Sequence, residues 1–262
     1  MKQHIIIPAR YQSSRFPGKL LQEIGGIPLI VHTYQHALAA TVDSVLIATD
    51  DERIAKVVEA AGAEVFFSKS IHHSGTERIA NVVQQLNYAD NDIVINLQGD
   101  EPFLPSNLLK QAAADLQEHQ DASVASIYLP LEDTTDVFNP NVVKVVLDKH
   151  HYALYFSRAP IPWSNSVFKS NADKLLFSPD SIDLSVFHQH VGVYAYHAGF
   201  VKHYSRLAPS PLEKSESLEQ LRVLWHGYKI ILSQASSFSG PGINTPADLK
   251  KARDYFTRQS NS

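Results

Sequence analysis

The chain has 262 residues, 23 of them basic and 27 acidic, for a formal net charge of −4. That balance lacks the basic excess with which a general nucleic-acid binder displaces counterions from phosphates, and no apolar run approaches the ~20 residues of a transmembrane helix. There is no cysteine, which excludes disulfides, thiolate nucleophiles and cysteine-ligated zinc together.

No basic region, apolar core and cleavage site precede the first strand-like run, residues 4–8, so a cytoplasmic location is expected. Residues 44–49, 64–67 and 93–97 also read as strands, and their continuous Ile/Val content suits strands covered on both faces. Between them, residues 29–40, 52–61 and 77–86 repeat apolar side chains at three- and four-residue spacing, as amphipathic helices do. Asp50-Asp51, Ser74-Gly75-Thr76-Glu77 and Pro105-Ser106 are helix-starting signals. This β-α-β-α-β succession predicts an α/β fold with a doubly wound, mostly parallel, Rossmann-like sheet.

Residues 122–131, 142–148, 152–158 and 190–196 read as successive strands without helices between them, which predicts an antiparallel edge or a smaller antiparallel sheet. The polar stretch 162–186 reads as a surface loop. Residues 198–207 and 213–225 read as helical, 229–233 as a strand, and 246–256 as a terminal helix opened by a proline. Sheets of this kind bind ligands beyond the carboxyl ends of their strands, so the residues there come first as candidates.

After the first strand, Pro8-Ala9-Arg10-Tyr11-Gln12-Ser13-Ser14-Arg15-Phe16-Pro17-Gly18-Lys19 sets three cations among small and turn-forming residues. Backbone amides there can bind phosphate oxygens, with Arg supplying forked donors and Lys a point charge; the alternative is a solvated basic loop. Neither G-x-x-x-x-G-K-[ST] nor G-x-G-x-x-G is present, which removes the main support for P-loop and dinucleotide-binding readings. The fourth strand ends in Gln98-Gly99-Asp100-Glu101-Pro102. A carboxylate just beyond a buried strand suits Mg²⁺, which takes one or two carboxylates and completes its shell with phosphates and water; the alternative is a turn-capping Asp. Cations after strand one and an acid after strand four would meet across one cleft, which favours a metal–phosphate site.

These segments, with Ala48-Thr49-Asp50-Asp51, Ser74-Gly75-Thr76-Glu77-Arg78, Asn139-Pro140-Asn141-Val142-Val143-Lys144, Ala153-Leu154-Tyr155-Phe156-Ser157-Arg158 and Leu218-Glu219-Gln220-Leu221-Arg222, resemble the 3-deoxy-manno-octulosonate cytidylyltransferase (CMP-Kdo synthetase) family of sugar nucleotidyltransferases. The resemblance covers nearly the whole chain. It implies a single α/β nucleotidyltransferase domain over residues 1–262, with 122–200 contributing an antiparallel sugar-binding and dimerisation part, and a homodimer. It also implies transfer of CMP from CTP to Kdo for lipopolysaccharide assembly, with positioning and charge neutralisation as the protein's main contributions. By the same matching, Arg10, Arg15 and Lys19 hold the triphosphate, Ser74, Gly75, Thr76 and Arg78 surround the cytidine, and Asp100 binds Mg²⁺. Gln98, Arg158, His190, Glu216 and Gln220 then form the acid-sugar pocket. Glu216 and Gln220, four residues apart, are expected to share a helix face; otherwise they are a solvated face, and His190 a core histidine. Activation of a related acid sugar (8-amino-Kdo or a sialic acid), or a catalytically weak nucleotide-binding paralogue, are the rival readings.

Three positions depart from the family pattern. Gly18-Lys19-Leu20-Leu21 replaces Gly-Lys-Pro-Leu, Gln189 stands where a basic residue is usual, and Asn244 stands where a second metal carboxylate is expected. An amide oxygen brings no charge to Mg²⁺, so neutralisation falls more heavily on Asp100 and the triphosphate, unless a nearby acid such as Asp248 substitutes. Asn244→Asp is therefore expected to lower the Mg²⁺ concentration for half-maximal activity in a magnesium titration; an unchanged or raised requirement refutes the assignment of position 244.

Overall fold

The computed structural model describes residues 1–12, 16–70, 72, 74–165, 168–171, 174–176, 182–235, 242–243 and 245–260. Strand β1 (Gln3–Ala9) leads through a 3-10 turn at Lys19–Leu21 and a small hairpin, β2 (Glu23–Ile24) and β3 (Ile27–Pro28), into α1 (Leu29–Leu38). Then follow β4 (Ser44–Thr49), α2 (Glu52–Ala60), β5 (Glu64–Phe67), α3 (Gly75–Gln85), β6 (Ile93–Asn96) and α4 (Ser106–Glu118). The expected caps close two of these helices: Asp51 accepts from the N–H groups of Arg53 and Ile54, and Ser74 from that of Glu77.

β1 pairs in parallel with β4 on one side and β6 on the other, and β5 lies beyond β4. Ile5, Ile6 and Ile7 have no exposed surface, and alternation along the strand sends them into different layers. Ile5 and Ile7 pack with apolar residues of α1, α2 and α4, whereas Ile6 packs with α3. Helices thus cover both faces, which is why the strands read as continuous apolar runs. The doubly wound sheet expected from the sequence is present.

The second half adds β7 (Val124–Pro130), α5 (Thr134–Phe138), β8 (Lys144–Leu147), β9 (Ala153–Ser157), the hairpin β10 (Lys169–Asn171) and β11 (Lys174–Leu176), and β12 (His188–His197). It ends with α6 (Ala198–Tyr204), α7 (Pro211–Glu216), α8 (Gln220–Trp225), β13 (Ile230–Gln234) and α9 (Pro246–Ser260). The main sheet runs β13-β7-β12-β6-β1-β4-β5. β12 is antiparallel to both β6 and β7, so those two are parallel to each other. β8 and β9 form an antiparallel extension from the start of β12.

Three expectations need correction. A helix, α5, interrupts the supposed run of strands; Asp133 caps it, but its five residues are too few to show a helical period. The stretch expected to be a surface loop contains the β10–β11 hairpin, and Phe168 and Ile182 within it are buried in a small core with Leu131, Val137 and Phe187. The helical run 213–225 is broken into α7 and α8 at Ser217, which adopts a left-handed conformation (φ 54°, ψ 48°).

A capping box fixes the direction of α7: the Ser210 hydroxyl accepts from the Glu213 N–H at 3.0 Å, and the Glu213 carboxylate accepts from the Ser210 N–H at 3.2 Å. The same carboxylate receives Arg222 of α8 at 2.6 and 2.8 Å. Ser210→Ala is expected to cost about 1 kcal/mol, seen as a lower urea midpoint at unchanged slope.

Candidate active site

The carboxyl ends of β1, β4 and β6 lie side by side, and the residues beyond them carry Arg10, Asp50 and Gln98–Asp100. Gly99 lets the chain turn there, since a Cβ would sit 3.1 Å from Ile30 Cδ1 and 3.3 Å from the Pro8 carbonyl oxygen. The loop after β1 is closed at its base by the Gly18 N–H, which donates to Tyr11 O at 2.9 Å. Gly18 has φ 70° and the Tyr11 ring lies 3.0 Å from where its Cβ would be, so the turn needs glycine on two counts.

Lys19, directly after that glycine, is the meeting point of three segments. Its Nζ donates to the Asp100 carboxylate and, at 2.9 Å, to the Ile243 carbonyl oxygen, while the Ile243 N–H donates to Asp100 O at 3.0 Å. Burial, reinforced by the Asp100 charge and opposed by Lys19, pushes the neighbouring Glu101 carboxyl up to about 8. Arg10 is exposed at the end of β1. Arg15 and Asn244 lie outside the described residues.

On the other side of β6, Ser74 and Gly75 open α3, and the Thr76 hydroxyl donates to Glu219 Oε2 at 2.8 Å. Arg78 is buried and donates through Nη2 to Asp50 Oδ2 at 2.8 Å. Its Nη1 is buried with no hydrogen-bond partner, and Arg78 is not among the residues that line the cavities below.

Between these groups and β12 lies a cavity of about 350 Å³. Its position follows from the pairing of one edge of β12. Tyr194–His197 pair with β6 and His188 and Gln189 pair with β8, which leaves an interval between the two pairings; on the opposite edge the register with β7 shifts between Val191 and Tyr194. The sheet opens at the interval between β6 and β8. Thr76, Gln98, Arg158, His190 and Gln220 all line the opening. A second cavity, about 710 Å³, shares Arg158 and His190 with the first and extends to Glu101, Gly242 and Asp248. The two form one cleft that reaches from the α3 N-terminus, past the loop holding Asp100, to the start of α9.

A cytidylyltransferase family profile matches residues 4–230. A 3-deoxy-manno-octulosonate cytidylyltransferase of Idiomarina loihiensis is 47% identical over 249 residues, covering 95% of this chain and 96% of that protein. One of Coxiella burnetii is 45% identical over 257 residues, 98% of this chain and all of that one. The chain belongs to the 3-deoxy-manno-octulosonate cytidylyltransferase family. Among solved structures, a CMP:2-keto-3-deoxy-manno-octonic acid synthetase complexed with CTP superposes with a TM-score of 0.86 at 37% identity, covering 99% of this chain and 100% of that one. 4-Diphosphocytidyl-2C-methyl-D-erythritol synthase, at 17% identity and a TM-score of 0.61, shares the fold alone.

In this cytidylyltransferase family member the expected sugar-side residues divide. Gln98, Arg158, His190 and Gln220 reach the cavity. Glu216 does not line it, and the expected shared face with Gln220 is absent, because α7 ends at Glu216 and α8 begins at Gln220. Both Glu216 oxygens are engaged, accepting from the Ser157 hydroxyl at 2.6 Å and the Arg158 N–H at 3.0 Å. Glu219 is the carboxylate on the cavity wall, joined there by Asn96, Tyr194 and Tyr196. Those residues were missed because tyrosines in an apolar strand read as core, yet His190, Gly192, Tyr194 and Tyr196 fall at the two-residue period of one strand face. Asp248 is committed to capping α9: its Oδ2 accepts from the Thr245 N–H at 2.8 Å and hydroxyl at 2.9 Å.

His190 is buried and meets Phe156 edge-on at 4.9 Å. Ser126 Oγ lies 2.8 Å from its Nε2 and donates its single proton to Val193 O at 2.7 Å. The serine therefore accepts from Nε2–H, which leaves Nδ1 as a lone-pair acceptor. Burial pushes the imidazole down to about 3, so it acts as a neutral hydrogen-bonding group. The unfolded chain takes up this proton below 6.5 while the folded protein refuses it until about 3, so His190 lowers stability as pH falls through that window. His190→Gln is expected to flatten the fall in unfolding free energy with decreasing pH, measured by denaturant titrations in that range; an unchanged slope contradicts the neutral assignment.

Proposed function

We propose that this protein transfers the cytidylyl group of CTP to 3-deoxy-D-manno-octulosonate, releasing pyrophosphate and forming CMP-Kdo for lipopolysaccharide assembly. The observation that carries the sugar assignment is Arg158. Arg53, Arg78 and Arg222 each pair with a carboxylate, whereas Arg158 makes no ion pair among the described residues. Its guanidinium is instead aimed by carbonyl oxygens, those of Glu216 and Pro140 at 2.8 Å and of Ser217 at 3.5 Å. A cation oriented by dipoles at the wall of a cleft, with its charge uncompensated, suits the carboxylate of an acid sugar.

Gln98, Gln220 and the Nδ1 of neutral His190 supply donors and acceptors for the sugar hydroxyls. Lys19, with Arg10 and Arg15, takes the triphosphate, and the α3 N-terminus with Arg78 behind it takes the cytidine. The anomeric hydroxyl oxygen then forms its bond to the α-phosphorus and loses its proton to solvent as the bond to the α–β bridging oxygen breaks, with the charge leaving on pyrophosphate. The chain contributes mainly alignment and fixed charge.

Mg²⁺ suits this donor set. Among the described residues no three His, Asp or Glu side chains converge on one point, but Asp100 offers a hard carboxylate beside the phosphate-binding lysine, and Mg²⁺ commonly takes one or two carboxylates with the substrate's phosphates. Bound at Asp100, it would supply charge neutralisation on the α-phosphate. The family resemblance further supports a cytoplasmic homodimer, and no helix among the described residues is long and apolar enough to cross a membrane.

The test is pyrophosphate release with CTP, Kdo and Mg²⁺. Release is expected to require Kdo, and Asp100→Asn is expected to lower turnover on the order of a hundredfold or more with an unchanged unfolding midpoint. Near-normal turnover in that variant, or CTP binding with no sugar-dependent release by the natural sequence, overturns the proposal.

A further inference from the structure

One wall of the cleft is held by a cation that does not face it. Lys144 opens β8 and is fully buried. Its Nζ donates to the carbonyl oxygens of Asn139 at 2.9 Å, Val142 at 2.6 Å and Arg158 at 2.7 Å. An ammonium has three protons, so its donors are fully used and none remains for a substrate.

Those three carbonyls come from two segments, the turn before β8 and the residue after β9. Glu216 ties in a third. Its carboxylate holds the Ser157 hydroxyl and the Arg158 N–H, and its carbonyl oxygen receives Arg158 Nε. The Arg158 guanidinium then returns to the first segment at Pro140 O. This knot carries Asn141, Val143, Arg158 and Ser217 onto the cavity wall.

Burying an ammonium is unfavourable, and burial pushes Lys144 down to about 8; Asp136 of α5 and Glu216 of α7 oppose that shift, and Arg158 adds to it. Simple packing would be served by a methionine of similar length. What the ammonium adds is a fixed distance between three carbonyls. The nucleotide side is held by other contacts, those of Lys19 with Asp100 and Ile243 and of Arg78 with Asp50.

We propose that Lys144 is a positioning residue for the acid sugar: by gathering the carbonyls of Asn139, Val142 and Arg158 it sets the Asn141 turn and the Arg158 guanidinium at the spacing the sugar requires. The proposal rests on the reading that this cleft receives the sugar, and the experiment separates the two. Steady-state constants for Kdo and for CTP are measured with Lys144→Met, Lys144→Gln and Gln220→Ala, together with CTP binding by calorimetry and urea midpoints. Lys144→Met removes the charge at similar volume and is expected to raise the sugar KM about tenfold or more, with the CTP KM and Kd within about twofold. Lys144→Gln, neutral but able to satisfy two carbonyls, is expected to fall between that variant and the natural sequence, and it carries the test where Lys144→Met does not fold. Unchanged sugar KM in the folded lysine variants, or equal rises for Kdo and CTP, overturns the role of Lys144 while a raised sugar KM in Gln220→Ala leaves the cleft assignment standing. An unmoved sugar KM in Gln220→Ala overturns the cleft assignment and the proposal with it.

Discussion

β12 runs antiparallel between β6 and β7, and its edge away from β7 divides its pairing between β6, at Tyr194–His197, and β8, at His188 and Gln189, with a break between the two. Continuous pairing would have sealed the sheet at this point. The break leaves instead an opening beyond the carboxyl end of β6, the place where open α/β sheets admit ligands. The parallel half of the sheet places Arg10 and Gln98–Asp100 beyond its strand ends, and the antiparallel extension supplies the far wall. Neither half forms the cleft alone.

Charge within the cleft is arranged before any ligand arrives. Lys19 and Asp100 hold each other, and the contacts of both with Ile243 draw the chain before α9 against them. Two adjacent ionised acids would repel a triphosphate, but burial and the Asp100 charge keep Glu101 largely protonated near neutral pH. The local balance is therefore one cation facing one anion, with Arg10 exposed beside them. The overall charge of −4 conveys none of this.

Legibility in the sequence followed the range of the forces involved. β1, β4 and β6 are covered on both faces, so burial wrote itself into continuous apolar runs, and the caps Asp51 and Ser74 marked where helices begin. The break at Ser217 had no local signature, because a non-glycine residue in a left-handed conformation is held by its surroundings: Arg222 of α8 is drawn back to Glu213 of α7, and Glu216 to Ser157 and Arg158. With that break the expected shared face of Glu216 and Gln220 is lost, since four-residue spacing has meaning only within one helix. Glu219 takes the place on the wall instead. The placement of Arg10, Gln98 and Asp100 was legible because strand ends are predictable positions in this fold, whereas the presence of Tyr194 and Tyr196 on the cavity wall was hidden by their burial.

The two sides of the cleft hold their cations in opposite ways. Lys19 is paired with a carboxylate, so its charge is partly spent within the protein. Arg158 is oriented by carbonyl oxygens, which fix the guanidinium through dipoles and leave its net charge for an incoming anion. A dipole cage needs its own support, since carbonyls in turns move with the chain. Lys144 and Glu216 supply it from behind the wall, one drawing carbonyls together and the other anchoring the main chain of Arg158 itself. In the proposed reading the monoanionic sugar has one carboxylate with which to find its place, and an uncompensated cation on a rigid mount would give that single charge a defined seat. A triphosphate brings several charges and would tolerate a lysine that must first exchange partners.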